Sequence, residues 1–220
     1  MSDARKFISF QNVSNSEKEE WAERLICICG PSGSGKTSLC RRLLEKFPEK
    51  FGLLGCTVTS SRSKFDLKQN NYKIIGTNDF LYMIERNEFL HWYKTGSGYY
   101  GLEKSRIREA VSKNFRVLVT FRSKSADALK FALRNLLIIE LRADLQTIES
   151  RIIRRNRIET KLIDKKVKIA SIDLRKNNMY FKQWSSAING NWYQLLNNIE
   201  EPPISESLVE MAHMIITEKD

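Results

Sequence analysis

Histidine is scarce in this chain: His91 and His213 are the only two among 220 residues. A centre built from several imidazoles is therefore excluded. Cysteine is also sparse, and the few thiols lie beside apolar segments rather than at metal-ligand spacing. We interpret them as small buried hydrophobes of a reducing compartment: Cys27, Cys29, Cys40 and Cys56.

Long apolar runs are missing as well. The segment Leu136 to Ile139 is only long enough for a strand, and the polar start Met1 to Lys6 leads into no hydrophobic stretch of signal-peptide length. We therefore expect a cytoplasmic protein that does not engage a membrane. The sequence makes no prediction about oligomeric state.

Acidic residues are too few to balance the basic ones, which leaves a formal net charge of +11. Nucleic acid or acidic lipid could attract such a chain. No RNA-recognition, zinc-finger or recognition-helix motif accompanies the charge, so we do not expect a nucleic-acid partner. The alternative is an enzyme that surrounds polyanionic small substrates with Lys and Arg.

One motif organises the chain. The apolar run Leu25 to Cys29 is followed by Gly-Pro-Ser-Gly-Ser-Gly-Lys-Thr at residues 30–37 and then by a helix-like segment. A buried strand, a glycine-rich turn and a helix N-terminus in this order form the phosphate-binding loop of nucleotide-binding proteins. Lys36 is expected to contact the β- and γ-phosphates, and the Thr37 hydroxyl is expected to bind Mg²⁺.

The loop therefore predicts binding of the phosphates of ATP or GTP together with Mg²⁺. Because backbone N–H groups can wrap a phosphate only where side chains do not intrude, the glycines are expected to allow close approach. The residues predicted to contact the nucleotide are Gly30, Ser32, Gly33, Ser34, Gly35, Lys36, Thr37 and Ser38.

Strand-like and helix-like segments alternate through the rest of the chain, which predicts an α/β P-loop NTPase fold with a parallel sheet flanked by helices. Residues 1–22 are polar and lack apolar periodicity, so we expect a flexible extension; the domain proper would be 23–220. Short extended pieces between 58 and 104 predict an inserted β-rich lobe. The predicted elements are strand 24–29, a helix ending near Phe47, strand 51–58, helix 78–87, helix 103–113, strand 116–120, helix 124–134, strand 136–141, a helix from Asp144, a basic helix 160–176, strand 193–196 and helix 205–215.

The helix from Asp144 carries four arginines: Arg151, Arg154, Arg155 and Arg157. A charge run of this kind is usually a solvated face. Next to a nucleotide loop it also suits a lid over residues 144–160, because phosphoryl transfer needs cations that close over the transferred group.

The order of these pieces resembles guanylate kinase, over roughly residues 24–215. The resemblance rests on the loop at 30–37, on Phe-Pro-Glu-Lys-Phe-Gly at 47–52, on Thr-Ser-Ser-Arg at 59–62, on Asn-Glu-Phe-Leu-His-Trp at 87–92 and on Gly-Tyr-Tyr-Gly at 98–101. It implies transfer of the γ-phosphoryl group of ATP to a phosphorylated small molecule, such as a nucleoside monophosphate. It also implies that the inserted β-rich lobe at 58–104 is the acceptor-binding lobe.

The resemblance also implies individual roles. Arg62, Tyr72 and Tyr100 match residues that bind the acceptor phosphate. Arg151 and Arg155 match catalytic lid arginines, alongside Lys36. Lys166 replaces a phosphate-facing arginine, which keeps the charge but loses the bidentate fork.

Several departures concern the acceptor. The family reads guanine with an acidic residue at the position of His91, a hydroxyl at Leu102 and an aspartate near Arg122. Guanine presents N–H donors, which call for acceptors such as carboxylates. Two further family residues, a second phosphate-binding arginine and an acidic strand end, correspond to Phe65 and Thr120.

These departures leave alternatives to a kinase that acts on GMP. One is a sugar-phosphate kinase like the ribose 1,5-bisphosphate phosphokinases, which also lack guanine-reading carboxylates. Another is a non-catalytic guanylate-kinase-like module that binds phosphorylated peptides, although such modules have little use for a complete phosphate loop. A nucleotide-dependent nucleic-acid partner rests on net charge alone.

Overall fold

The structure is a computed structural model that describes residues 7–59, 71–96, 98–113, 116–155, 164, 167–172, 174, 191–198 and 204–218. Within these ranges the strands are β1 Leu25–Cys29, β2 Phe51–Leu54, β3 Thr57–Val58, β4 Lys73–Ile74, β5 Phe89–Thr95, β6 Gly98–Glu103, β7 Arg116–Phe121, β8 Leu137–Arg142 and β9 Trp192–Leu196. The helices are α1 Asn15–Arg24, α2 Lys36–Lys46, α3 Thr77–Glu85, α4 Lys104–Lys113, α5 Ser123–Ala132, α6 Leu145–Arg155 and α7 Glu206–Thr217.

Five of these strands form one sheet in the order β2-β7-β1-β8-β9. β2 pairs with β7 and β8 pairs with β9, in both cases in parallel. Every residue of β1 is buried, as expected for a central strand of a sheet covered on both faces. The predicted mixed α/β fold with a mostly parallel sheet is confirmed.

A second sheet of four strands has the order β4-β3-β6-β5. β5 and β6 pair in antiparallel orientation, and the pairing extends to Thr95 and Gly98. Helix α3 contributes Phe80, which stacks on Phe89 of β5 with 4.4 Å between ring centroids. The predicted β-rich insertion is therefore present, although residues 60–70 of it lie outside the described residues.

The predicted single strand over 51–58 is wrong in one respect. The strand is interrupted at Gly55 and Cys56. Phe51–Leu54 belongs to the five-stranded sheet, and Thr57–Val58 belongs to the four-stranded one. The physical cause is that a run of apolar residues marks burial but carries no information about which sheet buries it.

The N-terminal region differs from the flexible extension expected over residues 1–22. Residues 7–14, which we call the N-terminal strap, lie along β5: Ile8 bridges His91, and the Ser9 amide donates to the carbonyl oxygen of Leu90 at 3.0 Å. The strap then enters α1, whose start has a full capping box between Ser14 and Glu17. Residues 1–6 lie outside the described residues.

The contacts divide the chain into two compact units. The first comprises Met1–Ile26, Phe47–Val119 and Ala128–Leu136, and it contains the strap and the four-stranded sheet. The second comprises Cys27–Lys46, Thr120–Asp127 and Leu137–Asp220, and it contains the loop after β1, helix α6 and the end of β9.

The predicted basic helix at 160–176 is described only in part. Residues 167–172 are helical, and Val167, Ala170 and Leu174 pack against an apolar cluster that includes Ile148 and Ile152 of α6. None of the helices that the structure describes is both long enough and apolar enough to cross a membrane.

Candidate active site

The loop at residues 30–35 has the backbone of an anion cradle. Gly30, Gly33 and Gly35 adopt φ of +137°, +87° and +104°, which side-chain-bearing residues rarely adopt. The loop runs directly into α2, which begins at Lys36, so the positive end of the helix faces the cradle. Successive N–H groups in such a turn bind phosphate oxygens.

Two of these glycines are also required by packing. A Cβ atom at Gly30 would lie 2.3 Å from the carbonyl oxygen of Leu141, and one at Gly35 would lie 2.5 Å from Nδ2 of Asn197. Both distances are far below van der Waals contact. A side chain at Gly30 would have to displace the backbone of β8, whereas one at Gly35 would displace the side chain of Asn197. The sequence explained the glycines by ligand approach alone.

Lys36 lies over the loop. Its ammonium group donates to the carbonyl oxygens of Gly30 at 2.9 Å and Pro31 at 2.7 Å. These bonds hold the charge at the mouth of the cradle, where a phosphate would exchange them for stronger charge-assisted bonds. Ser34 is fully buried in the same turn, and its hydroxyl has no hydrogen-bond partner among the described residues.

Arg151 is bound to this loop. Its Nη1 donates to the carbonyl oxygen of Gly33 at 3.0 Å, and its Nη2 donates to the backbone and side-chain oxygens of Asn197 at 3.1 and 3.3 Å. Burial lowers the pKa of the guanidinium, which still remains charged at neutral pH. The second unit thus places Lys36 and Arg151 on one phosphate-binding loop.

The other loop residues fit the cofactors that the sequence predicts. Ser32, Thr37 and Ser38 are partly exposed in the loop and the first turn of α2. A hydroxyl at the start of this helix, together with phosphate oxygens and water, is a donor set that suits Mg²⁺. At the end of β7, Thr120 supplies a second partly exposed hydroxyl, and Arg122 is exposed.

In the first unit, one face of the four-stranded sheet carries the residues at the acceptor positions. Register pairs His91 with Leu102 and Tyr93 with Tyr100, so all four share that face. The Tyr93 and Tyr100 rings stack at 5.1 Å with 9° between their planes. Tyr72, which precedes β4, is partly exposed.

His91 lies where an acid was expected. It is completely buried, and its Nδ1 donates to the carbonyl oxygen of Phe7 in the strap at 3.3 Å. Burial lowers its pKa to about 4, so the ring is neutral at physiological pH. Leu102 beside it is 1% exposed. Position 91 therefore carries an imidazole that is hydrogen-bonded to the strap, and position 102 carries an apolar side chain.

Comparison with known proteins agrees with this reading. Residues 22–189 match the family model described as guanylate kinase. The chain belongs to the guanylate kinase family. Among curated relatives, the guanylate kinase of Prochlorococcus marinus subsp. pastoris is 30% identical over 161 residues, covering 72% of this chain and 86% of the relative. That of Carboxydothermus hydrogenoformans is 25% identical over 173 residues, covering 78% of each.

Solved structures agree on the fold. The crystal structure of guanylate kinase from Anaplasma phagocytophilum superposes with a TM-score of 0.62, at 15% identity, over 89% of this chain and 86% of that one. Membership makes the protein a nucleotide-binding phosphotransferase, an ATP-dependent kinase of the guanylate and nucleoside monophosphate kinase type. The resemblance stated from the sequence is confirmed.

Some predicted site residues lie outside the described residues: Arg62, Lys166 and the side chain of Arg155. Their roles remain predictions, as do those of Lys36, Thr37, Arg151, Tyr72 and Tyr100. Sequence reasoning missed Asn197, which follows the last strand without any motif. It also missed the strap contact at His91, although the capping box at Ser14 was a readable sign of structure there.

Proposed function

We propose that this protein transfers the γ-phosphoryl group of ATP to the phosphate of a small phosphorylated acceptor, and that it does not select the acceptor through guanine. The observation that carries the first part is the loop at 30–37, with its three positive-φ glycines and the bonds of Lys36 and Arg151 to its carbonyls. A module that only bound phosphopeptides would gain nothing from this arrangement.

On this proposal the loop amides and Lys36 bind the β- and γ-phosphates, while Arg151 and Arg155 stabilise charge on the transferring group. Thr37 would hold Mg²⁺, which neutralises charge between the β- and γ-phosphates when it is bound. Arg62, Tyr72, Tyr100 and Lys166 would bind acceptor or nucleotide phosphate. No covalent intermediate is required, because positioning and electrostatics supply most of the rate in phosphoryl transfer.

The second part rests on His91 and Leu102. Both positions are buried, neither carries a carboxylate, and one imidazole nitrogen is bonded to the strap. A guanine base would find no acidic acceptor there for its N–H groups, and discrimination by such groups can reach several orders of magnitude. A nucleoside monophosphate bound mainly through its phosphate is the acceptor we favour, and a sugar phosphate is the second candidate, because Tyr72 and Tyr100 are retained while base recognition is not.

The test is a coupled assay of ADP release with ATP and Mg²⁺ across GMP, dGMP, AMP, CMP, UMP and ribose 1,5-bisphosphate. We expect turnover with at least one acceptor, and a kcat/KM for GMP no more than about tenfold above that for the other monophosphates. Lys36→Ala should lower kcat by about a hundredfold or more, because it removes the loop's charge from the transition state.

The matched control is Lys46→Ala on the same helix, an exposed lysine paired with Glu206 and Glu210, which should leave turnover unchanged. A strong preference for GMP would show that other groups read the base and would refute the second part. A clear rate with ribose 1,5-bisphosphate alone would identify a sugar-phosphate kinase. Silence with every acceptor would refute the kinase proposal in favour of a binding module.

A further inference from the structure

We propose that Asn197 is a positioning residue that holds Arg151 against the phosphate-binding loop. In this position Arg151 raises both the affinity for the γ-phosphate and kcat. This inference rests on the kinase function proposed above and adds a residue to it. Asn197 lies immediately after β9 and is 2% exposed.

One side chain reaches both partners. Nδ2 of Asn197 donates to the carbonyl oxygen of Ser34 at 3.0 Å, and Oδ1 accepts from Nη2 of Arg151 at 3.3 Å. Arg151 then returns to the loop through Nη1, which donates to the carbonyl oxygen of Gly33 at 3.0 Å. The four residues Gly33, Ser34, Asn197 and Arg151 therefore close a ring of hydrogen bonds.

The position of Asn197 is itself fixed. Its backbone N–H donates to the carbonyl oxygen of Arg142 at 2.7 Å, which continues the pairing of β8 with β9. Its amide nitrogen lies so close to Gly35 that a Cβ atom there would come within 2.5 Å. The ring is thus attached to two sheet strands on one side and to the loop on the other.

Such attachment matters because an arginine side chain has many rotamers. A free guanidinium on α6 would have to be ordered each time ATP bound, and that ordering opposes catalysis. Held by Asn197, the cation is already next to the loop before the nucleotide arrives. Small displacements of a positioning group can cost about a hundredfold in rate. Loss of the Asn197 side-chain amide should therefore lower kcat.

The ring predicts coupling between two residues, which a double-mutant cycle measures. We expect Asn197→Ala and Arg151→Ala each to lower kcat by about ten- to a hundredfold, with the double variant within about threefold of Arg151→Ala alone. The control is Asn198→Ala: that neighbouring side chain accepts from the Asp144 amide at 2.9 Å and should leave kcat within about twofold. Effects that multiply in the double variant would overturn the proposal.

A second measurement does not depend on the acceptor. Calorimetry gives the affinity of each variant for ADP and for a non-hydrolysable ATP analogue, and the ratio reports on the γ-phosphate. Asn197→Ala should lower the ATP-analogue to ADP affinity ratio by about fivefold or more, as should Arg151→Ala, whereas Asn198→Ala should not. An unchanged ratio for Asn197→Ala would overturn the positioning role even if no acceptor were ever phosphorylated.

A third variant guards against misfolding. Asn197→Asp keeps an oxygen for Arg151 but removes the N–H that binds Ser34, so it should retain more of the affinity ratio than Asn197→Ala if orientation of Arg151 is what matters. Equal loss in the two variants, with melting temperatures equal to wild type, would count against the proposal. The failure of wild-type protein to turn over any acceptor would instead refute the kinase function, and the calorimetric ratio would still decide the role of Asn197.

Discussion

Gly30 shows at the scale of one residue why a motif does not reveal all of its constraints. The motif identifies a phosphate-binding loop, and the positive φ of +137° agrees with that reading. Gly30 is also required because the carbonyl oxygen of Leu141 occupies the space that a Cβ atom would need. Leu141 lies more than a hundred residues farther along the chain. Short-range sequence patterns carry no information on such contacts, so the packing role became visible only in the folded chain.

His91 is a second example at this scale. The sequence identified its position as one that reads guanine in the family, and the structure shows a buried residue with a different set of contacts. An acid was expected there for reading guanine, and the histidine is instead a buried residue bonded to the strap. The sequence could show that the carboxylate was missing. It could not show what the imidazole contacts, because Phe7 belongs to a stretch with no recognisable periodicity.

Stability should depend on pH through this histidine. Its pKa is about 4 in the folded protein against an ordinary value of 6.5, so the unfolded chain binds more protons between these values. Stability is then fully present above about pH 6.5 and decreases as pH falls towards 4, by up to about 3 kcal/mol. Urea titrations between pH 4 and 7 should show this loss, and His91→Leu should reduce its slope.

Carboxylates also titrate in that range, so the difference between wild type and variant is the informative quantity. His213→Gln is the matched control, since His213 is partly exposed on α7 and is the other histidine of the chain. An identical pH slope for wild type and His91→Leu would contradict this prediction, because it would show that the pKa of the imidazole is the same in the folded and the unfolded chain.

At the scale of elements, the N-terminal strap is fixed by a buried lysine. Lys104, the first residue of α4, is 3% exposed, and its ammonium group donates to the carbonyl oxygens of Gln11 at 2.7 Å and Asn87 at 2.6 Å. Phe7 adds a ring contact with Trp92 at 4.4 Å between centroids. Farther along, Arg108 binds Glu17 and the carbonyl oxygen of Asn12, and its hydrogen bond lowers the pKa of Glu17 to about 2.

Lys104→Met should therefore loosen the strap. Two carbonyl oxygens would lose a charged donor, and we expect the free energy of unfolding to decrease by about 2 kcal/mol. Amide hydrogen exchange should rise at Ser9, whose N–H bonds to β5, more than in the five-stranded sheet. Lys113→Met, on the same helix but exposed and paired with the neighbouring Glu109, should change the unfolding free energy by less than about 0.5 kcal/mol. If amide exchange at Ser9 rose no more in Lys104→Met than in Lys113→Met, Lys104 would not be what holds the strap.

The elements themselves were largely predictable, because strands such as β1 and β8 are continuous apolar runs and helices such as α2 start at a recognisable loop. The exceptions have physical reasons. β2 and β3 share one apolar run but enter different sheets, and the choice is made by long-range pairing. The strap pairs with β5 through backbone groups, which every sequence possesses. The capping box at Ser14 indicates the start of α1 but gives no information about that pairing.

At the scale of the whole molecule, the formal charge of +11 finds a use in the proposed chemistry. A cationic protein draws anionic substrates from a distance, and salt screens this attraction beyond roughly 10 Å at 0.1 M ionic strength. We expect kcat/KM for ATP to fall by about three- to tenfold between 0.05 and 0.5 M salt. kcat should change less, since bound substrate is already in place. A kcat/KM that is insensitive to salt would show that the charge serves no steering role.

The strap also decides how the protein can be handled. β5 is the outermost strand in the order β4-β3-β6-β5, and Ile8 and Ser9 cover its open side. The family match begins at residue 22, beyond the strap. A chain trimmed to the matched region would present a row of unpaired backbone groups, and such rows recruit strands from other molecules. Recombinant chains that start before Phe7 should therefore stay monodisperse, whereas chains that start at residue 22 should aggregate.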